Sequence, residues 1–352
     1  MNMKDANLSS QAAEQSIIRL SVDNATSSGK LCLGLSAVGE ITIEGVAESP
    51  NTSGVYYHYT LTSSEVVIRG EVTSFNCGTY GDNSIVSLDV SHSVNLRELR
   101  CYGNKLTSLD LSKNAALTVL ECDRNPLTSL DLSHCVNLKE ICCANNQLTS
   151  LDLSHCVNLE KIWCGDNQLT SLDLTACSDL SILDCSRNKE LAMLKLPESP
   201  LCDLTAQRCK ALKSLHCPSK TLVRLDICGC EALEEVDARD SKLNIIRIID
   251  CHNLRVVRFD GTALDNEQAG SLLNRLPDRR GSVAGELDLF TAEQEEEALN
   301  ILLPGGLPLI AADKNWNIPI VPEHVWATLR DFQKDIDTLV KPLLERLRRS
   351  TE

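Results

Sequence analysis

The sequence predicts a repeat solenoid: a β-rich right-handed superhelix with a small β-rich N-terminal cap, an α/β C-terminal cap and a C-terminal helix. The first observation is self-similarity, because near-identical units of 21 residues begin at Leu106, Leu127, Leu148 and Leu169. The second is composition: 43% of the residues are hydrophobic but only 3% are aromatic, so aliphatic and cysteine side chains must fill the core. The third is length, since 352 residues are about twice a usual compact domain and suit an extended array.

Each 21-residue unit joins two shorter patterns, LxxLxL and LxxLxC. In an extended segment alternate side chains share a face, so Leu120 and Cys122 should point inward and Glu121 and Asp123 outward. One such segment cannot bury its apolar face alone. Stacking successive turns about 4.8 Å apart joins the leucines into one continuous core.

A column of asparagines follows the LxxLxC segments, and its side-chain amides are predicted to satisfy backbone groups at a corner. The column consists of Asn104, Asn125, Asn146, Asn167 and Asn188. These residues resemble the leucine-rich-repeat consensus LxxLxLxxNxL, and the nested 21-residue form is similar to the repeats of bacterial, internalin-like leucine-rich-repeat proteins. The resemblance covers residues 72–264 and implies the architecture and, most often, protein binding.

The array is predicted to be flanked on both sides. The predicted segments are a disordered N-terminus (1–15), a β-rich cap (16–71), the repeat array (72–264), a capping region (265–321) and an amphipathic helix (322–352). A helix ending before Pro277 and a strand in GELDLF (285–290) are expected in the capping region, followed by a helix over 291–303 and by Trp316 as a core plug. For the final helix two alternatives stay open: it folds back on the array, or it forms a homodimer seam or docking helix.

The spacing from Leu180 to Leu212 is one period plus 11 residues, with an extra half-unit beginning at Leu191. Two arrangements fit this insertion. Either one turn bulges outward, or the two stripes of motifs exchange sides.

The charge balance restricts the classes of partner that the protein is expected to bind. Lys and Arg number 34 against 49 Asp and Glu, and a net charge of −15 argues against nucleic acid. No apolar run is long enough for membrane insertion, and no signal peptide is visible, so the sequence as it stands predicts a cytoplasmic protein. The alternative is secretion or surface display after removal of a leader. The 17 cysteines are an odd number and favour reduced, buried thiols, although oxidation of some of them stays open.

No cofactor and no metal are predicted. The stacked His134–Cys135 and His155–Cys156 pairs could together hold zinc, but duplication of the repeat explains them as residues of an exposed corner. A ladder of aspartates could bind calcium, but the sequence lacks a glycine-rich, aspartate-dense calcium loop and favours a solvated face. Hydroxyls such as Ser108 and Ser129 are expected to reduce the repulsion between the carboxylates. The ladder consists of Asp89, Asp110, Asp131, Asp152 and Asp173. Nucleophile and phosphate-loop signatures are missing from the sequence, so no catalytic residue is predicted.

The candidate partner-binding residues occupy the outward position between leucine and cysteine, which differs from turn to turn over a constant core. They are Arg100, Glu121, Trp163, Asp184, His216, Asp237 and Arg258, together with Tyr102. The leading hypothesis is a non-enzymatic protein-interaction module with a concave binding surface. The alternatives are an exported bacterial adhesion or glycan-binding protein, suggested by the resemblance alone, and a cysteine-dependent enzyme, which requires a thiol of lowered pKa.

Overall fold

The structure, a computed structural model, describes residues 16–23, 29–79, 84–262, 264, 266–280, 282–289, 311 and 314–317. The chain divides into two compact units, Met1–Pro200 and Leu201–Glu352, and each contains stacked coils of a β-solenoid. The predicted disordered N-terminus, the helix over 291–303 and the amphipathic helix over 322–352 with its proposed dimer seam lie outside the described residues.

Unit 1 contains twelve described strands, and the runs rich in β-branched residues that precede the repeats are among them. The strands are β1 (Ile17–Val22), β2 (Lys30–Glu44), β3 (Tyr57–Thr60), β4 (Glu65–Asn76), β5 (Ile85–Asp89), β6 (Glu98–Arg100), β7 (Val119–Glu121), β8 (Glu140–Cys142), β9 (Lys161–Trp163), β10 (Ser171–Asp173), β11 (Ile182–Asp184) and β12 (Met193–Lys195). The main sheet has the order β5–β1–β4–β6–β7–β8–β9–β11, and β2 pairs with β3 and β4. From β4 onward the neighbours are parallel, and β10 pairs with β12 in a second parallel sheet.

The core of unit 1 is formed by the repeated leucines and cysteines. Leu120 in β7 and Cys122 just after it are fully buried, as the alternation predicts, and so are their equivalents in the neighbouring turns. Burial of one such aliphatic side chain contributes about 1.5–3 kcal/mol, so several stacked turns are needed to offset the chain entropy. The LxxLxL segments at 106–111, 127–132 and 148–153 contribute buried leucines but form no strand.

The asparagine column is a hydrogen-bonded ladder, which confirms its predicted structural role. Asn146 shows the pattern: its Nδ2 donates to the carbonyl of Cys122 in the preceding turn (3.1 Å) and to that of Cys143 (3.0 Å). Its Oδ1 accepts the amide N–H of Leu127 at 3.1 Å. Each residue preceding a ladder asparagine adopts a left-handed backbone, which only glycine takes up without strain. These residues are Gly103, Arg124, Asn145, Asp166 and Arg187.

A set of cysteines three residues after the end of an LxxLxL motif is buried, as predicted, and some of its members also donate hydrogen bonds. The set is Cys135, Cys156, Cys177, Cys209, Cys230 and Cys251. Cys230 donates from Sγ to the carbonyl of Ala206 at 3.1 Å, and Cys251 donates to Ile227 at the same distance. Both bonds reach back 24 residues, as the Nδ2 bond of Asn146 does. Cysteine therefore takes over in unit 2 the corner role that asparagine has in unit 1.

Two buried cysteines of unit 2 should respond differently to serine. For Cys217→Ser we expect the free energy of unfolding to fall by about 2–3 kcal/mol, because no described group accepts a hydrogen bond from this side chain. For Cys230→Ser we expect a loss of about 1 kcal/mol or less, because the hydroxyl keeps the carbonyl of Ala206. Urea unfolding measures both, and Cys217→Ala serves as the control for lost volume. Equal losses in the two serine variants would contradict the corner role.

The aspartate ladder is outward, but its hydroxyl partners differ from those expected. Asp89 Oδ1 accepts the hydroxyl of Ser91 at 2.6 Å, and Asp173 Oδ1 accepts that of Thr175 at 2.7 Å. Asp110 Oδ1 accepts the backbone N–H of Ser112 at 2.9 Å. The hydroxyls expected to help, such as Ser108, lie on the residue before the buried leucine. The residue two positions after each aspartate is the one that turns back toward the carboxylate, because the chain bends there.

The segment between Leu180 and Leu212 keeps the regular spacing of strands along the chain. It contains β12 and the first strand of unit 2, and the central leucines of successive strands are 11, 10 and 11 residues apart (Leu183, Leu194, Leu204, Leu215). Three regular half-turns therefore separate the two LxxLxC motifs. Each half-turn is one motif with the turn that follows it. Because the two LxxLxC motifs begin an odd number of half-turns apart, LxxLxC and LxxLxL exchange places after this segment, as the second alternative requires.

Unit 2 has two parallel sheets and one described helix. Its elements are β13 (Asp203–Thr205), β14 (Ser214–His216), β15 (Arg224–Asp226), β16 (Glu235–Asp237), β17 (Ile245–Arg247), β18 (Val256–Arg258), α1 (Asn266–Arg275), β19 (Gly285–Asp288) and β20 (Trp316–Asn317). One sheet has the order β13–β15–β17 and the other β14–β16–β18–β19–β20. The predicted helix before Pro277 and the strand in GELDLF are confirmed, and Trp316 is fully buried.

Candidate functional site

The candidate site is the outward side of five stacked strands in unit 1, β6, β7, β8, β9 and β11. In each three-residue strand the central side chain is buried and the outer two are half-buried. Parallel register places residues of the same strand position side by side, about 4.8 Å apart. The third positions form what we call the recognition column, which is Arg100, Glu121, Cys142, Trp163 and Asp184.

The first strand positions, which were not among the predicted partner-binding residues, line the same face as the third positions. The alternation of side chains along a strand could have predicted these positions, because residues i and i+2 of a strand point to the same side. This second row is Glu98, Val119, Glu140, Lys161 and Ile182. The face is therefore two residues wide along each strand.

Most of the charge on this face is neutralised within it. Arg100 contacts Glu98 at 2.6 Å and Glu121 at 3.0 Å, and hydrogen bonding from Arg100 lowers the pKa of Glu98. Lys161 contacts Glu140 at 2.7 Å, which raises the pKa of Lys161. Such half-exposed pairs contribute about 0–1 kcal/mol each to stability, so their main effect is to fix the side chains.

Cys142 is next to Trp163 in the column and is not an activated thiol. Burial, followed by the nearby carboxylate of Asp123, raises the pKa of Cys142 to about 12. Burial likewise raises the pKa of Asp123, despite a hydrogen bond from the thiol. A nucleophilic cysteine requires the opposite shift, because the thiolate is the reactive species.

Tyr102 is held at one end of the face by a residue that the sequence did not single out. Its hydroxyl lies 2.8 Å from that of Tyr56, which precedes β3. Its ring lies against Gly78, where an added Cβ would approach the ring to 2.4 Å. Burial is the main cause that raises the pKa of Tyr102. No sequence pattern links Tyr56 to the repeats, so this contact required the tertiary structure.

The three remaining predicted residues lie in unit 2, on β14, β16 and β18. His216 is register-paired with Asp237, and Asp237 with Arg258. Asp237 was expected to be exposed, but only 7% of it is accessible. Arg239 covers the carboxylate of Asp237 and donates hydrogen bonds of 3.0 and 2.9 Å to it. Arg239 lies only two residues further along the chain, so its guanidinium can turn back over this carboxylate.

The surroundings of Asp237 and Arg258 are already filled by ion pairs. Burial opposes ionisation of Asp237, but the hydrogen bonds from Arg239 outweigh it and lower the pKa. His216 Nδ1 lies 3.6 Å from the same carboxylate, and Arg258 pairs with Glu235. The structure thus brings five predicted residues together in unit 1 and three in unit 2.

The described residues contain no group of three or more His, Cys, Asp or Glu side chains arranged to hold a metal ion. Within the same part of the chain, no helix combines the length and hydrophobicity that a membrane span needs.

The stacked parallel coils, their buried leucines and their corner ladder define the class of protein as a leucine-rich-repeat solenoid. Residues 136–176 match the family model of leucine-rich repeats in two copies. This match falls on the strands that carry Cys142 and Trp163. No curated protein matches the chain.

Solved leucine-rich-repeat structures are similar over part of the chain. The functional domain of InlJ from Listeria monocytogenes, whose description mentions a cysteine ladder, is 22% identical over 61% of this chain and 64% of its own, with a TM-score of 0.31. A leucine-rich-repeat protein of Leptospira interrogans is 18% identical over 61% and 66%, with a TM-score of 0.29. An internalin C2 from Listeria monocytogenes is 17% identical over 57% and 77%, with a TM-score of 0.31. The chain thus spans less than two thirds of the length of the first two structures.

Proposed function

We propose that the chain is a non-enzymatic protein-interaction module and that the outward face of the unit 1 sheet binds a partner protein. The observation that carries the proposal is the recognition column. Five register-paired positions carry five different side chains over a buried core that hardly changes. A fixed scaffold with varied outward residues is the usual basis of recognition by repeat proteins.

The chemistry of the face suits protein recognition better than catalysis. Trp163 supplies a large apolar anchor near the centre, and the ion pairs of Arg100 and Lys161 give it a polar surround. Every described thiol with a resolved shift has a raised pKa, so a cysteine-dependent reaction gains no support. The 21-residue period supports assigning the repeats to the bacterial, internalin-like type.

Trp163→Ala and Glu121→Arg are expected to weaken capture of the partner from the source organism by at least about tenfold, because a central aromatic anchor typically contributes 2 kcal/mol or more. Glu121→Arg additionally removes the carboxylate that holds Arg100. The measurement is the amount of the same partner retained by the immobilised full chain, quantified by mass spectrometry.

Val157→Ala is the control for this capture, because Val157 is 46% exposed and lies outside the five strands. It should retain the partner. Thermal unfolding of each variant must show that the fold is kept. Undiminished capture by both Trp163→Ala and Glu121→Arg would rule out this face as the binding surface.

A further inference from the structure

Trp163 and Asp184 form an outward aromatic–carboxylate pair on the unit 1 sheet. They occupy the third positions of β9 and β11 and are direct register partners, so their side chains leave the sheet about 4.8 Å apart. Both residues are half-buried. An indole face beside a carboxylate is a favourable environment for a cation, because the ring quadrupole and the negative charge both attract it.

The carboxylate of Asp184 is only partly used. Its Oδ1 accepts the backbone N–H of Ser186 at 2.9 Å. Over the described residues, Oδ2 has no hydrogen bond, and no Lys or Arg lies within ion-pair distance of Asp184. Lys161 on the neighbouring strand β9 pairs with Glu140 at 2.7 Å, and Arg187, three residues after Asp184, pairs with Asp166 at 3.4 Å.

Gly165, two residues after Trp163, is buried and lies close to Asp184 and Ser186 of the next turn. A Cβ at this position would lie 3.0 Å from the carbonyl oxygen of Ser186 and 3.5 Å from Asp184 Oδ1. The absence of a side chain at Gly165 therefore lets the two turns approach closely beside Asp184.

We propose that Trp163 and Asp184 bind the guanidinium group of an arginine side chain on the partner protein. The guanidinium stacks on the indole and donates hydrogen bonds to the carboxylate. Arginine fits better than lysine because its planar group can stack and donate at once. The net charge of −15 favours approach of a basic segment. This inference rests on the proposed function, since it specifies what that same face recognises.

The test uses the full chain and two synthetic peptides, acetyl-Ser-Leu-Arg-Leu-Ser-amide and the same peptide with citrulline in place of arginine. Citrulline keeps the size and planarity of the side chain but removes the charge. Dissociation constants are measured by saturation-transfer NMR at low salt. We expect the arginine peptide to bind about five- to tenfold more tightly than the citrulline peptide.

The variants Asp184→Asn and Trp163→Leu should each reduce this preference to less than about twofold. The matched control is Asp152→Asn, which removes the same charge from an aspartate that also accepts the N–H of a serine two residues later, but on the other side of the coil. It should keep the preference. Unfolding midpoints of the variants confirm that the fold is intact.

Equal binding of the two peptides, failure of both to bind at millimolar concentration, or an equal loss in Asp152→Asn and Asp184→Asn would each overturn the proposal. If the peptides fail while Trp163→Ala still loses the captured partner, the binding face stands and only its arginine specificity is wrong. If capture is also unaffected by Trp163→Ala, the proposed function itself is wrong.

Discussion

Asn146→Ala is expected to lower the free energy of unfolding by about 3–5 kcal/mol. The substitution removes hydrogen bonds to the carbonyls of Cys122 and Cys143 and from the N–H of Leu127. These groups are buried, and Asn146 itself is only 8% exposed, so water has little access to replace the amide. The N–H of Leu127 is left unpaired, which costs about 1–3 kcal/mol. The carbonyls of Cys122 and Cys143 keep the amides of Asn125 and Asn167, so each of these two lost bonds costs about 0.5–1.5 kcal/mol.

The matched control for this prediction is Asn158→Ala. Asn158 is exposed and donates a single hydrogen bond, to the carbonyl of Val136 at 2.9 Å. Its loss should cost less than about 1 kcal/mol, because water can replace the amide. Urea unfolding followed by circular dichroism measures both variants. If the two asparagines prove equally dispensable, the ladder does not stabilise the turns as argued.

Trp316→Ala should also cost about 3–5 kcal/mol, because it empties the largest fully buried side chain of the described residues. The indole packs on Gly285, where an added Cβ would lie 2.5 Å from the ring, and Nε1 donates to the carbonyl of Pro277 at 2.9 Å. One side chain thus joins β19, β20 and the segment after α1.

Trp316→Phe separates packing from hydrogen bonding at this site. Phenylalanine fills most of the space but cannot reach the carbonyl of Pro277, so a loss of about 1–2 kcal/mol is expected. Thermal and urea unfolding of the full chain provide the values. A loss below 1 kcal/mol for Trp316→Ala would show that this end of unit 2 does not depend on the buried ring.

Much of the candidate site followed from periodicity. The alternation of Leu120, Glu121 and Cys122 placed the recognition column of unit 1 on one face, because side chains in a strand alternate strictly. The same reasoning failed at Asp237. Its burial depends on Arg239, whose long side chain turns back over the strand, and no repeat pattern encodes that rotamer.

The contacts that give the face its chemistry were decided by tertiary structure. Tyr56 contacts Tyr102 across 46 residues of sequence, and Lys161 pairs with Glu140 of the preceding turn at 2.7 Å. In each case a flexible side chain forms one of several contacts that its length would allow. Spacing alone does not distinguish between those partners.

By itself the sequence determined the period, the buried leucines and cysteines and the asparagine ladder. These features repeat at fixed intervals, and burial of apolar groups and pairing of backbone groups admit one solution at every turn. Only the tertiary structure decided which half-turns form strands, which cysteines donate at corners and which carboxylates are covered. Those outcomes depend on distances of a few ångströms between neighbouring coils, which a linear pattern does not specify.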